Sequence, residues 1–358
     1  MFLALKELKH AKLKFSLVVL IMVLIAWLVL FVTGLANGLA SDNGSAIESS
    51  KATGFLVEKD SDNRLTRSSL SEEKVQRAEE KFGKNATALG VQMTTVTKPS
   101  AAKKTDVTFF GIDPSRFLVP EQVSGESLSG SKENSVIADE KLKESGYKLG
   151  DKVKDQMSGA VFEIIGFAKK ATYSHTPVLY TSFDSFKKLQ QRGASSYNAV
   201  ALQNDSGEDF AQSGLVYASS KEVLENIPGY SEEQGSLLMM IAFLFVIAAF
   251  VLAAFFYVIT IQKMNQLGIL KAVGAKTSYL ARSIVFQVIF LAFVSLVISN
   301  ALTFLMALAL PDSMPFNLSQ LTALLCSGLF ILMAVLGSIL SLSRVVRVDA
   351  LEAIGRVN

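Results

Sequence analysis

Four long apolar stretches, unevenly placed, decide what this chain can fold into. Ser16–Leu39, Leu237–Ile261, Ile284–Leu310 and Leu321–Leu342 are each long enough to cross a bilayer as a helix, since a hydrocarbon core of about 30 Å takes about 20 mostly apolar residues. Between the first and second lies a polar stretch, 41–235, far too long for a linker. Half of the 358 residues are hydrophobic and 19% are charged, so the charges must be gathered outside the apolar stretches, and they are. The expected fold is an α-helical membrane protein with four transmembrane helices and a large α+β extracellular domain inserted between helices 1 and 2.

The positive charges give that layout a direction. Lys6, Lys9, Lys12 and Lys14 precede the first span, Lys263, Lys271, Lys276 and Arg282 follow the second, and Arg344, Arg347 and Arg356 follow the fourth. Basic residues stay in the cytoplasm. This predicts a cytoplasmic amphipathic start at 1–15, span 1 at 16–40, the outer domain with its stalk at 41–235 and span 2 at 236–261. A cytoplasmic loop at 262–283, span 3 at 284–310, an outer loop at 311–318, span 4 at 319–342 and a cytoplasmic tail at 343–358 complete it. The outer loop carries Asp312 and no Lys or Arg, which fits. The first apolar run is longer than a signal-peptide core, so it reads as a retained helix.

Within the insert, Gly54–Val57, Leu89–Val96, Asp106–Gly111, Ser135–Ala138, Val161–Ala168, Pro177–Thr181 and Tyr197–Leu202 are Val-, Ile-, Phe- and Thr-rich runs bounded by turn residues. Each predicts a strand. Ser71–Phe82 and Phe183–Gln191 have helical composition, with Ser71 as an N-cap. Ser41–Ser50, polar and rich in Gly and Ser, reads as a stalk entry and Gly125–Asn134 as a surface loop.

Several function classes fall away. A net charge of +3 without a dense basic and aromatic run gives no case for nucleic acid. Cys326 is the single cysteine and lies in the fourth span, so no internal disulfide or cysteine cluster can form. His10 and His175 fall on opposite sides of the predicted membrane, and His175 reads as a turn residue. No Gly-rich loop ends in Gly-Lys-Ser/Thr, so no nucleotide site of that type is present; Gly83-Lys84-Asn85 is a fragment only. Glu72-Glu73, Glu79-Glu80 and Glu232-Glu233 read as solvated faces, and no catalytic residue and no intrinsic metal or cofactor is expected.

The loop after the second span is the most specific segment. Its run from Gln262 through Lys263, Gly268, Lys271, Gly274 and Ala275 to Lys276 resembles the segment of MacB- and FtsX-type ABC transporter permeases that meets the ATPase subunit. Leu267 stands where that family usually has an acidic residue. The ending, with Arg344, Arg347, Asp349, Leu351 and Ile354, resembles the family's closing pattern, and Ser135–Leu142, Tyr147–Val153 and Phe162–Phe167 resemble its outer-domain core. The resemblance implies a homodimer with one ABC ATPase subunit, holding ATP-Mg, under each protomer. Gln262, Lys263, Gly268, Lys271, Gly274, Ala275, Lys276, Arg347 and Leu351 are then the candidate coupling residues.

The N-terminal segment and Thr33–Ala40 look most like the haem-exporting branch of that family in Gram-positive bacteria. Haem as substrate would need an apolar slot and axial ligands. Near the outer span ends, Met239, Met240, Met306 and Glu48 are the candidate ligands; Phe31 and Phe243 could stack on the porphyrin and Asn37 could bond a propionate. Two other readings stand beside haem export: an ABC-driven transenvelope force transmitter acting on a cell-wall hydrolase or sensor, and an antimicrobial peptide efflux permease.

Overall fold

The computed structural model describes residues 12–99, 103–190, 197–204, 207, 214–310 and 314–346. The chain divides into two compact units, Leu39–Gly235 and the joined segments Met1–Gly38 and Ser236–Asn358.

The inserted unit is built on one mixed sheet. Its strands are β1 (Gly54–Glu58), β2 (Ala86–Thr97), β3 (Lys104–Ile112), β4 (Gln122–Gly125), β5 (Ser135–Asp139), β6 (Lys152–Asp155), β7 (Val161–Ala168), β8 (Thr172–Tyr173), β9 (Thr176–Ser182), β10 (Ala199–Leu202) and β11 (Leu215–Ser219). They run in the order β11-β1-β10-β2-β3-β9-β5-β7-β4, with β6 pairing β2 and β7, and β8 pairing β9. Most pairs are antiparallel, while β3 with β9 and β5 with β7 are parallel. The seven expected strands all appear, each within a few residues of its expected bounds. β4, β6, β8 and β11 are additional; each is short, and β6 alternates lysines outward with Val153 inward, too brief a pattern to stand out.

Short helices cover this sheet. The helix Glu72–Phe82 starts where the Ser71 side chain accepts a bond from the Lys74 N–H, and it buries Val75 and Ala78, three apart. The helix Ser220–Glu225 carries a full capping box: Ser219 and Glu222 satisfy each other's backbone N–H groups. The stretch expected as a continuous helix after Phe183 is one α-turn, Phe183–Phe186, followed by a 3-10 turn, Lys187–Leu189. Phe109 and Phe162 pack 4.9 Å apart in a fully buried cluster with Phe167, Leu179 and Phe186.

The stalk entry Ser41–Ser50 is helical as far as Glu48. The first helix, α1, runs over Lys12–Glu48, bent at Gly44, and Asn43 and Ser45 on it are buried. Helix continues through these polar residues because they find partners: Ser45 Oγ bonds Thr172 Oγ1 at 2.7 Å, and Asn43 Nδ2 donates to Glu233 at 3.0 Å. Composition reads as solvated what tertiary bonding has internalised.

The other unit is helical. Four of its helices are long and apolar enough to cross a membrane: Phe15–Glu48, Tyr230–Gln262, Thr277–Ala309 and Gln320–Ile339. They come from α1 and from three helices that we number after the inserted domain's α2 (Glu72–Phe82), α3 (Lys141–Glu144), α4 (Phe183–Phe186) and α5 (Ser220–Glu225): α6 (Tyr230–Gln262), α8 (Thr277–Ala309) and α9 (Gln320–Val346). Between α6 and α8 lies α7 (Met264–Ala272). Packing here is close-range. Ser299 Oγ donates to Val23 O at 2.9 Å, linking α8 to α1, and Gly337 on α9 lies against the Ala253 backbone of α6. Small residues and hydroxyls hold helices together where lipid removes the hydrophobic drive. Along α6, Ala248 is buried, Ala249 is half-buried and Ala253 meets α9, while Ala254 is exposed.

Candidate functional site: a capped coupling loop and an open span face

The loop after α6 folds as a rigid elbow. Gln262 ends α6, Lys263 caps α7, and Gly268 is buried on it. At its end the Ala275 N–H donates to Leu270 O at 3.0 Å and the Gly274 N–H to Lys271 O at 3.1 Å. These two bonds make a Schellman cap, with Gly274 at φ +102° in the position where side chains are disfavoured. Ala272-Val273-Gly274-Ala275 is therefore a helix stop. Lys276 follows in extended conformation and caps α8. The glycine terminates α7, and α8 starts at once at Thr277 and runs straight into the third span.

Leu267 explains its own departure from the family pattern. It is buried against Leu280, with Leu270 and Ala275 beside it, so an apolar pin fastens α7 to α8 where an acidic residue was expected. The opposite side is bare: Ile269 is 53% and Val273 83% exposed. Lys263 Nζ donates to Gln287 Oε1 at 3.1 Å and lies over the Phe15 ring. Lys271 is half-buried. Arg347 and Leu351 lie outside the described residues.

The candidate substrate residues are less gathered. Met239 and Phe243, four apart, share one exposed face of α6 with Met240 beside them. Met306 is exposed on α8. Phe31 stacks on Phe316 at 5.6 Å, so a residue of the loop before α9, absent from the expected set, already covers one of its faces. Asn37 is half-buried on α1, between Gly34 and Gly38, which lie against Phe316 and Pro315. An apolar cleft of about 640 Å³ lies between α1 and α6, lined by Phe15, Val18, Phe255 and Val258, with Gln262 and Lys263 at one end. None of the candidate substrate residues lines it.

Glu48 belongs to the inserted unit, exposed, accepting a bond from the Ser41 hydroxyl at 3.4 Å. Near it lies a polar cluster that composition does not reveal. His175, in a turn with φ +59°, faces two carboxylates: Nε2 is 3.1 Å from Glu233 and Nδ1 3.6 Å from Asp42, which also pairs with Lys141. The sequence signal that could have found it is weak, a Ser-His pair between two short strands. Asp139 lies beneath, its oxygens accepting the Lys141 and Ala171 N–H groups. Burial pushes its carboxyl up to about 6, more than those bonds lower it. Burial likewise raises the phenols of Tyr173 and Tyr180. Among the described residues, no group of three or more His, Cys, Asp or Glu side chains is arranged to hold a metal ion.

Two family descriptions match this chain: "MacB-like periplasmic core domain" over residues 15–213 and "FtsX-like permease C-terminal" over 238–350. A hemin transport system permease protein of Staphylococcus haemolyticus, HrtB, so named provisionally, is 33% identical over 99% of both chains. The chain belongs to the MacB/FtsX family of ABC transporter permeases. Its likeness is to the HrtB type in particular, since the provisionally named HrtB of two Staphylococcus epidermidis strains is 32% and 31% identical, again over 99% of each chain. The solved extracellular domain of the transporter YknZ from Gram-positive bacteria is similar to 48% of this chain and 92% of its own, with 22% identity and a TM-score of 0.34. A permease of this family works with an ATPase partner.

Proposed function

We propose that this permease is the membrane subunit of an exporter that extrudes haem from the lipid phase, driven by ATP hydrolysed in a separate subunit. The observation that carries the reading is the full-length similarity to three staphylococcal proteins named for hemin transport. In this reading two copies of the chain pair in the plasma membrane, each above one ATPase subunit holding ATP-Mg. The inserted domain lies outside and both termini inside, as the lysines before span 1 and around α7 favour.

The local physics suits each part. A helix pinned by Leu267 and stopped by a glycine cap cannot fray, so a push on exposed Ile269 and Val273 passes into α8 rather than into local unwinding. Apolar knobs on a short helix are what a groove on a partner receives. At the other span ends, exposed Met239, Met240 and Met306 offer soft sulfur to haem iron, Glu48 offers a carboxylate, Phe31 and Phe243 offer rings, and Asn37 offers an amide for a propionate.

Haemin titration of the purified chain in lipid nanodiscs, read by absorbance, tests this. A saturable Soret shift of one haem per dimer, weakened in Met239→Ala/Met240→Ala and in Glu48→Ala, is the expected result. Uptake no greater than in empty nanodiscs would leave the family standing and move the substrate to another hydrophobe or a peptide.

A further inference from the structure

The two arms that join the inserted domain to the spans meet at one histidine. The chain enters the domain through the end of α1 and leaves it through the start of α6. Between them sits the turn from β8 to β9, where Tyr173 pairs with Thr176, so Ser174 and His175 form a two-residue hairpin loop. Both have positive φ, +49° and +59°, in a kind of turn that favours glycine and asparagine. The turn is fastened to α1 at its Gly44 bend: the Ser174 N–H donates to Asn43 O at 2.7 Å and the Thr172 N–H to Ser45 Oγ at 3.0 Å. From there the imidazole reaches both arms, Nε2 lying 3.1 Å from Glu233 on α6 and Nδ1 3.6 Å from Asp42 on α1.

The two contacts differ in kind. A carboxylate only accepts, so the bond to Glu233 puts the ring's hydrogen on Nε2, and in the neutral ring Nδ1 is then a bare acceptor. It faces the Asp42 carboxylate with no proton between them, and 3.6 Å is too long for a hydrogen bond. One added proton makes Nδ1 a donor and completes a bridge from α6 to α1. Charge points the same way. The cluster sets two carboxylates, Asp42 and Glu233, against one ammonium, Lys141 on α3, which pairs with Asp42. Asp139 on β5, which senses both Asp42 and Lys141, adds to the deficit when ionised. Farther out, Tyr230 on α6 senses Glu48, Glu225 and Glu233, and Glu48 senses Lys170. We propose that His175 is a proton-operated clasp, its protonation tying the end of α1 to the start of α6 and its deprotonation releasing the tie to Asp42. Histidine changes charge between about pH 5 and 8, so the tie is present at the acid end of that range and is lost as pH rises through it. The clasp needs no particular transport substrate; that it senses the medium outside the cell rests on the orientation proposed above.

Hydrogen exchange of the full chain in nanodiscs, without haem, tests the clasp through the backbone amides of 43–48 on α1 and 230–235 on α6. With intrinsic exchange corrected for pH, these amides should be about threefold better protected at about pH 5.5 than at about pH 8, the scale of one half-exposed ion pair. Asp139 changes charge in the same range, so the comparison is repeated in Asp139→Asn, where the response should persist. His175→Gln keeps a neutral donor for Glu233, and Asp42→Asn leaves the turn untouched; in each, protection should be equal at both pH values. No pH response in the native chain would overturn the proposal. A response that survives in both variants, or that vanishes in Asp139→Asn, would also overturn it and assign the proton to another carboxyl. Haem takes no part in the experiment, so its failure and that of haem export are separately visible.

Discussion

Phenylalanine has opposite fates in the two units. Phe55, Phe109, Phe162, Phe167 and Phe186 are sealed inside the inserted domain, whereas Phe243, Phe250 and Phe293 stand on the surface of the span helices. The residues are the same and the surroundings differ. In water, removing such a ring from solvent is a main source of stability. In lipid the ring is at home outside, and the helices are held by close contacts and hydroxyl bonds such as Ser299 to Val23. Strength in one unit is therefore read from buried apolar area, and in the other from small residues and polar atoms.

The sharpest way to break that contrast is a pair of truncations. Phe162→Ala should destabilise the inserted domain by about 3–5 kcal/mol, as a cavity is left beside Phe109, while Phe250→Ala, at a position 73% exposed, should leave unfolding in nanodiscs nearly unchanged. Comparable losses by thermal unfolding would mean that the span surface is covered by protein rather than lipid.

Asp139 sharpens the comparison from the polar side, as a carboxyl internalised in the water-facing unit. Its folded pKa of about 6 lies above its usual 3.8, so protonation favours the folded domain. The contribution is complete below about pH 4 and is lost as pH rises through about 6, a fall on the order of 3 kcal/mol. In Asp139→Asn this segment of the stability profile should flatten in pH-dependent denaturant unfolding, although one of the two accepted N–H bonds is sacrificed. An unchanged slope would show that Asp139 is solvated.

Smaller effects are expected in the helical unit. Gly274→Ala places a side chain at positive φ, which costs about 1–2 kcal/mol in that region; the space around it is open, so conformation alone is at issue. Hydrogen exchange should increase over the last turn of α7, with the ATPase binding less tightly. Ser299→Ala should cost the least, about 0.6 kcal/mol, measured by unfolding in mixed micelles. A much larger loss would indicate that the bond to Val23 organises the neighbouring helices.

What could be read in the sequence follows the same division. Spans announce themselves because lipid demands continuous apolar length, and the major strands because the core demands Val, Ile and Phe in short runs. For Ser41–Ser50 the polar composition is legible, but the partners of Asn43 and Ser45 are not, because Glu233 and Thr172 lie far away in the chain. Gly274 was legible as a signal and its role as a helix stop needed the two cap bonds. Phe316 was invisible as a site residue since it lies in a loop outside any periodic pattern, and only folding lays it on Phe31. His175 was legible as a turn residue but not as the neighbour of two carboxylates, because those sit on helices at opposite ends of the insert.

One notch on α1 bears on which changes the chain can tolerate. Most positions along a lipid-facing helix accept any apolar residue. Gly34 and Gly38 do not, because an added Cβ would run into the Phe316 ring at the first and the Pro315 carbonyl at the second, and the Asn317 N–H is bonded to Gly34 O beside them. In a library that replaces every residue of this helix, the two glycines would stand out as positions that admit almost nothing, whereas exposed Leu17, Leu20, Leu24 and Leu28 would admit any apolar residue. Drift in the sequence of the first span must pass around this fixed point near its end.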